Sequence, residues 1–256
     1  MNRSAWLAHL HSNDRARLRL ICLPYAAGSA SAYRYLARVL PASLLEGLDI
    51  WAVEYPGHGE HLGVTPSRDF SALADALFDA VAFLCAEETV VFGYSLGAML
   101  GFELARRLRD RTGRSPAALL VAACGAPQLT SDGPDVTASP AALAEFLGRQ
   151  DATAASAREV AQRWRWYQAV FGLRRTYRYT DDRPLVCPIT AFGGAEDEEV
   201  SEAALRGWGE QKAHPGLFAY HLVPGQRHLF LRHPPFLRLL SDALLTCVER
   251  GRLQPV

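Results

Sequence analysis

The stretch TVVFGYSLGAMLGFELARRL, residues 89–108, decides how this chain folds. Its first four residues are β-branched or aromatic and near-continuously apolar, as in a strand buried on both faces. From Leu96 onward the stretch reads as a helix, with apolar positions at helical spacing. Between the two lies Gly93-Tyr94-Ser95-Leu96-Gly97, a GxSxG at a strand-to-helix turn. A bare GxSxG is weak information. In this context it lifts a serine above a sheet, and the flanking glycines let the backbone turn without a clash. The helix that follows aims its free N–H groups and its positive end at the serine, which favours a developing anion. The competing reading is a glycine-rich turn with a solvent-facing serine.

Working outward, short apolar runs alternate with helical patterns. Residues 18–23, 48–55, 89–93, 118–124, 185–192 and 217–223 read as strands. Helices are expected near 31–40, over 70–87 and 96–111, near 200–211 and from Pro235 to the C-terminus. Near-continuously apolar strands alternating with helices predict an α/β fold, with a mostly parallel central sheet covered by helices on both faces. Residues 132–180 hold helix-like segments at 140–149 and 156–171 but no good strand. That stretch is read as a helical lid inserted into a single domain spanning residues 1–256.

Composition narrows the functions. The 256 residues carry 27 basic and 27 acidic side chains, a formal net charge of zero, which argues against a nucleic-acid binder. No apolar run reaches the roughly 18 residues of a membrane span, and the N-terminal stretch has no secretory h-region, so a cytoplasmic protein is expected. The five cysteines (22, 85, 124, 187 and 247) are odd in number and widely spaced in apolar stretches without a CxxC pair, and read as reduced core residues.

A serine nucleophile needs a positioned base. In an elbow of this kind the partners follow in the order serine, acid, histidine, at the C-terminal ends of strands. His214 precedes a strand, His221 lies within one and His233 starts the last helix. His228, in the loop PGQRHLF after the last strand, is the best-placed base. Asp197, in GGAED directly after the strand at 185–192, is the best-placed acid, although Glu196, Glu198 and Glu199 crowd it. Asp181 and Asp182 precede that strand and belong at the opposite end. The oxyanion donors are expected to be the N–H of Leu96 and that of Ala26, with Ala27 as the fallback. His58 and His61 in YPGHGEH lack a third ligand at sensible spacing, so no metal is expected there. Trp164, Trp166, Tyr167 and Phe171 suit either a substrate channel or lid packing. Seven arginines between 158 and 183 face only three acids, which reads either as a solvated helix face or as a docking patch for an acidic partner.

With those residues in place, the chain from about 18 to 240 resembles the type II thioesterases of polyketide and nonribosomal peptide biosynthesis, within the α/β-hydrolase superfamily. The resemblance is carried by LICLPYAAGSASAYRYLARVLP, YPGHGEH, VVFGYSLGAMLGFELARRL, ITAFGGAEDEEVSEAALRGW and VPGQRHLFL. GxSxG marks only the superfamily; PYAAGSAS, FGGAED and PGQRHLFL narrow it. The resemblance implies Ser95 as nucleophile, Asp197 as acid, His228 as base, and Ala26 and Leu96 at the oxyanion hole. It implies hydrolysis of acyl thioesters from the phosphopantetheine arm of acyl or peptidyl carrier proteins, met transiently by a monomer with no cofactor of its own. Tyr94 and Leu96 stand where His and Met are common, Gln226-Arg227 replaces a glycine, and Glu198 replaces a frequent proline; no catalytic group is lost. The same triad would also suit a free-standing carboxylesterase or lipase, or an acyltransferase or cyclase. A non-catalytic binding module is disfavoured, because all three catalytic residue types occur in order.

Overall fold

A computed structural model describes residues 6–85, 88–129, 138–150 and 156–253. Among the described residues seven strands form one sheet: β1 (Leu7–His11), β2 (Leu18–Leu23), β3 (Leu48–Val53), β4 (Thr89–Tyr94), β5 (Ala118–Ala122), β6 (Ile189–Gly194) and β7 (Phe218–Val223). Their order is β1-β3-β2-β4-β5-β6-β7. Only β1 runs antiparallel, on β3; every other pairing is parallel. The central strands β4 and β5 are buried along their whole length, as their unbroken apolar runs require. β1 was not anticipated. Its sequence, LAHLH, is short and only half-buried, and it is held at the sheet edge by stacking of His9 on Trp51, with ring centroids 3.9 Å apart.

The helices are α1 (Leu36–Val39), α2 (Ala42–Leu45), α3 (Phe70–Val81), α4 (Leu96–Thr112), α5 (Pro140–Gln150), α6 (Ala157–Gln162), α7 (Trp164–Gly172), α8 (Glu202–Arg206) and α9 (Pro234–Leu253). Alternate side chains of each strand feed two cores. On one face Ile21, Leu23 and Val91 pack with Phe70, Leu77, Leu100 and Leu104 of α3 and α4. On the other Leu20, Cys22 and Phe92 pack with Leu36, Leu44, Phe236 and Leu240 of α1, α2 and α9. Asp69 caps α3 by accepting from the Ala72 amide at 2.7 Å. Cys22, Cys85, Cys124 and Cys187 are buried lone thiols; burial pushes Cys124 up to about 11 and Cys85 and Cys187 to about 12.

Several expected bounds shift for local reasons. The strand expected over 185–192 begins only at Ile189, because Pro188 before it has no N–H to give a ladder; Leu185 makes just an isolated bridge to Lys212. The strand expected to reach Cys124 ends at Ala122, where Ala123 turns to φ 51°. The helix expected near 200–211 is α8 followed by a 3-10 segment from Gly207 to Gln211, and the one near 31–40 is a 3-10 turn, Ala30–Tyr33, followed by the single turn of α1. The helix expected over 70–87 closes at Val81, and residues 86 and 87 lie outside the described residues.

Between β5 and β6 the described residues of the expected insertion form α5, α6, α7 and a 3-10 turn (Leu173–Thr176), and no strand before the isolated bridge at Leu185; 130–137 and 151–155 lie outside the described set. This helical layer has its own small cluster, Leu143, Val160 and Tyr167, with Trp164, Trp166, Phe171 and Ala27 packed against it. Ala27 belongs to the loop after β2, so the layer covers that loop. The Trp166 indole Nε1 donates to the Gly57 carbonyl at 2.5 Å, and the Thr176 hydroxyl accepts from the Phe70 amide at 2.9 Å, fixing the layer's far side to the body.

Candidate active site

Ser95 sits between β4 and α4 with φ 51° and ψ −115°, a backbone state that costs energy for any residue with a Cβ and persists only where its surroundings impose it. The surroundings do so through close approach. A Cβ on Gly93 would lie 2.2 Å from the Gly97 carbonyl oxygen, and one on Gly97 would lie 2.1 Å from that of Leu23. Only glycine fits at either place, and the tight contact seats the first turn of α4 against the end of β2.

The three chain-distant residues meet. His228 Nε2 lies 3.1 Å from Ser95 Oγ, and His228 Nδ1 lies 2.9 Å from Asp197 Oδ2. With a proton on Nδ1 donated to the carboxylate, Nε2 is left to accept the serine hydroxyl proton. The Asp197 carboxylate is fully buried. Its other oxygen accepts from the Glu199 amide at 2.8 Å and the Val200 amide at 3.3 Å, which fixes its orientation. Among the four crowded acids, Asp197 is therefore the one joined to the imidazole. His214, His221 and His233 are placed elsewhere: His221 stacks on Phe192, with centroids 5.5 Å apart, and His214 and His233 flank other turns. Asp182 pairs with Arg106 and Arg109, away from Ser95.

The acid and base loops also grip one another. A Cβ on Gly194 would fall 2.2 Å from the Arg227 carbonyl oxygen, and the Glu196 amide donates to that of Gln226 at 2.8 Å. Gln226-Arg227 thus engages β6 through main chain, and the side chains there are not used for that contact. On the oxyanion side, Leu96 is the first residue of α4, with a first-turn amide. The Gly28 amide donates to the Tyr25 carbonyl at 2.9 Å around Ala27 at φ 61°, so Ala26 rides in a tight turn beside the elbow.

Two features escaped the sequence reading. The first is Tyr94. Its ring is fully buried; its hydroxyl donates to the His228 carbonyl at 2.5 Å and accepts from the Phe230 amide at 2.8 Å. Nothing in a sequence tells a strand-end tyrosine that only packs from one that brackets a loop far along the chain. The second is the charge around the imidazole. Burial alone would depress His228, but its hydrogen bond to Asp197 and the charges of Glu199 and Asp197 outweigh that and hold its pKa above the ordinary histidine value. Burial raises the Glu199 carboxyl in turn. Arg174, within the arginine-rich segment, does not join an exposed docking face as a whole side chain: its Nε is buried without a partner among the described residues, and its charge opposes protonation of His228. Asp197, Glu199 and His228 also offer ligand atoms within 4.8 Å of one another, but two of the three are spent on the Asp197–His228 hydrogen bond.

A histidine that acts as base must be neutral to take a proton, so with His228 in that role activity is expected to fall as pH drops through its pKa. The acid limb of kcat/KM is expected above 6.5, the value of an ordinary histidine. Glu199→Gln removes one of the charges that raises it and should move that limb to lower pH; a limb that stays in place in a pH–rate profile would show that Glu199 does not act on His228.

A parallel sheet with one antiparallel edge strand, a serine elbow and a histidine and aspartate arriving from the last two strand ends define an α/β-hydrolase. A family model for the thioesterase domain matches residues 18–243, and the chain belongs to that family. It is 29% identical over 231 residues to the gramicidin S biosynthesis protein GrsT of Aneurinibacillus migulanus, covering 88% of each chain. Among solved structures it is similar to the type II thioesterase BorB from the borrelidin biosynthetic cluster, at 31% identity and a TM-score of 0.80 over 94% of this chain and 98% of that one. It is equally similar to the RedJ thioesterase of the prodiginine pathway in Streptomyces coelicolor, at 31% identity and a TM-score of 0.81 over 93% and 89%. The chain is a thioester hydrolase of the type II group found in polyketide and nonribosomal peptide pathways. No helix among the described residues is long and apolar enough to cross a membrane.

Proposed function

We propose that this enzyme hydrolyses acyl groups held as thioesters on the phosphopantetheine arm of acyl or peptidyl carrier proteins, with Ser95 as nucleophile, His228 as base and Asp197 as the acid that orients it. The observation that carries the reading is the unbroken hydrogen-bond chain from Ser95 Oγ through His228 to Asp197 at the elbow. His228 Nε2 takes the hydroxyl proton as Oγ bonds to the thioester carbon. The resulting oxyanion is met by the Leu96 and Ala26 amides, preorganised donors typically worth about 3 kcal/mol each. The C–S bond then breaks and His228 returns the proton to the leaving thiolate. Water, deprotonated by the same nitrogen, attacks the acyl-serine ester; the acid departs and Oγ recovers its proton. The chemistry draws on no group beyond the chain and water.

The helical layer between β5 and β6 acts as the lid. It covers the Ala26–Ala27 loop, as a cover over a tethered substrate must, and its exposed Arg158, Arg163 and Arg165 suit an acidic carrier met transiently. The triad is complete within one chain, which supports a working monomer. Buried lone thiols suit a reducing cytoplasm.

Intact-mass measurement after mixing with acylated carrier protein tests the reading. The protein is expected to gain one acyl group transiently while free acid accumulates, with turnover of the carrier substrate exceeding that of a simple soluble ester. A faster simple ester would favour a free-standing esterase, and an acylated or cyclised product in place of free acid would favour acyl transfer.

A further inference from the structure

A small cavity lies between the elbow and the helical layer. Leu96 forms one wall, Leu73 of α3 another, and Val170 and Leu173 of the helical layer close it. It holds about 10 Å³, room for roughly one water, and begins one residue from the nucleophile. Three polar side chains line it: Tyr55, Ser67 and His58. Two of these are already engaged. The Tyr55 hydroxyl donates to the Pro24 carbonyl at 3.2 Å. The Ser67 hydroxyl donates to the Asp69 carbonyl at 2.9 Å and accepts from the Asp69 amide at 3.3 Å.

His58 differs. The residue is 4% exposed, and its ring lies between Tyr55 and Trp166, at centroid distances of 5.6 and 5.2 Å. Its Nδ1 lies 3.0 Å from the Pro56 carbonyl and must donate there, because a carbonyl only accepts. That leaves Nε2 with a lone pair, and this atom is buried with no partner among the described residues. Burial disfavours the charged imidazole, outweighing the Pro56 contact, and the nearby Arg163 charge acts in the same direction, so the ring stays neutral and Nε2 stays an acceptor. A buried acceptor left without a donor is costly, and a ligand that supplies one regains that cost.

We infer that His58 Nε2 is a specificity-determining acceptor in the acyl subsite, and that the enzyme favours short acyl chains carrying a neutral hydroxyl over the same chains without one. This rests on the thioesterase reading above. A neutral hydroxyl fits better than an ammonium, because the remaining walls are apolar and no carboxylate lines the cavity to balance a charge. The present volume admits about one water, so an acyl chain enters only as Val170 and Leu173, both from the helical layer, give way, which favours a short chain.

The test uses the full chain and pantetheine thioesters of butyrate, 2-hydroxybutyrate and 3-hydroxybutyrate. At least one hydroxylated substrate is expected to exceed butyryl in kcat/KM by about tenfold, the worth of one well-placed hydrogen bond. In His58→Phe that ratio is expected to fall to about one or below. Should the phenylalanine ring fail to pack, the wild-type protein still decides: the matching non-hydrolysable amide with a hydroxyl should inhibit more tightly than butyryl amide. Equal kcat/KM values for all three substrates in the wild type, with hydrolysis still abolished by Ser95→Ala, would overturn the role of His58 and leave the thioesterase intact. Hydrolysis that survives Ser95→Ala would overturn the catalytic reading itself.

Discussion

Ser95→Ala is expected to lower thioester hydrolysis by about four orders of magnitude or more while the protein stays folded. The loss is this large because the hydroxyl is the atom that makes the covalent bond. Without it His228 can only activate water at a geometry built for a neighbouring oxygen 3.1 Å away. Folding should survive because alanine places the same Cβ in the same φ 51° conformation that serine already occupies, so no new strain enters. The check is kcat/KM on one acyl thioester beside a melting curve. A variant within tenfold of wild type would remove Ser95 as the nucleophile.

Asp197→Asn should cost a comparable amount, again about four orders of magnitude, by a different route. An asparagine keeps an oxygen for the Glu199 and Val200 amides, so the loop can hold its shape. Its amide nitrogen then faces His228 Nδ1 as a donor. The imidazole must turn its proton to Nε2, where it confronts the serine hydroxyl and can no longer accept from it. Loss of the carboxylate also removes a hydrogen bond and a charge that raise the His228 pKa, so any residual activity should show its acid limb at lower pH. Glu196→Gln, one residue away and exposed, is the matched control and should change activity little. The opposite pattern would move the acid role to Glu196.

The parallel core was legible because β4 and β5 are buried and near-continuously apolar and their neighbours nearly so, a pattern that few other environments demand. The meeting of Ser95, His228 and Asp197 was legible because order along the chain and position at strand ends together leave one histidine and one favoured aspartate. What stayed hidden depends on contacts between distant segments. β1 is an edge strand whose half-buried residues carry little period-two signal, and it exists because β3 offers it a free edge. The late start of the strand expected over 185–192 follows from Pro188, a local signal hidden within the apolar run around it. Arg174 looked like its exposed neighbours because local sequence cannot show which member of an arginine cluster faces the interior. The aromatics of 164–171 allowed two readings; Trp166 ties the helical layer to the body and Tyr167 packs inside that layer, while the cavity wall on that side comes from Val170 and Leu173.

The phenol at position 94 carries a mechanical consequence. One oxygen fastens the residue before the nucleophile to main-chain atoms at 228 and 230. A second phenol, Tyr35, holds the carbonyl of Leu231, one residue further on. Proton donor and acceptor, drawn from segments 133 positions apart, are thereby riveted into a single stiff unit. Shifts of the helices above would then leave the 3.1 Å gap between the Ser95 hydroxyl and the imidazole unstretched.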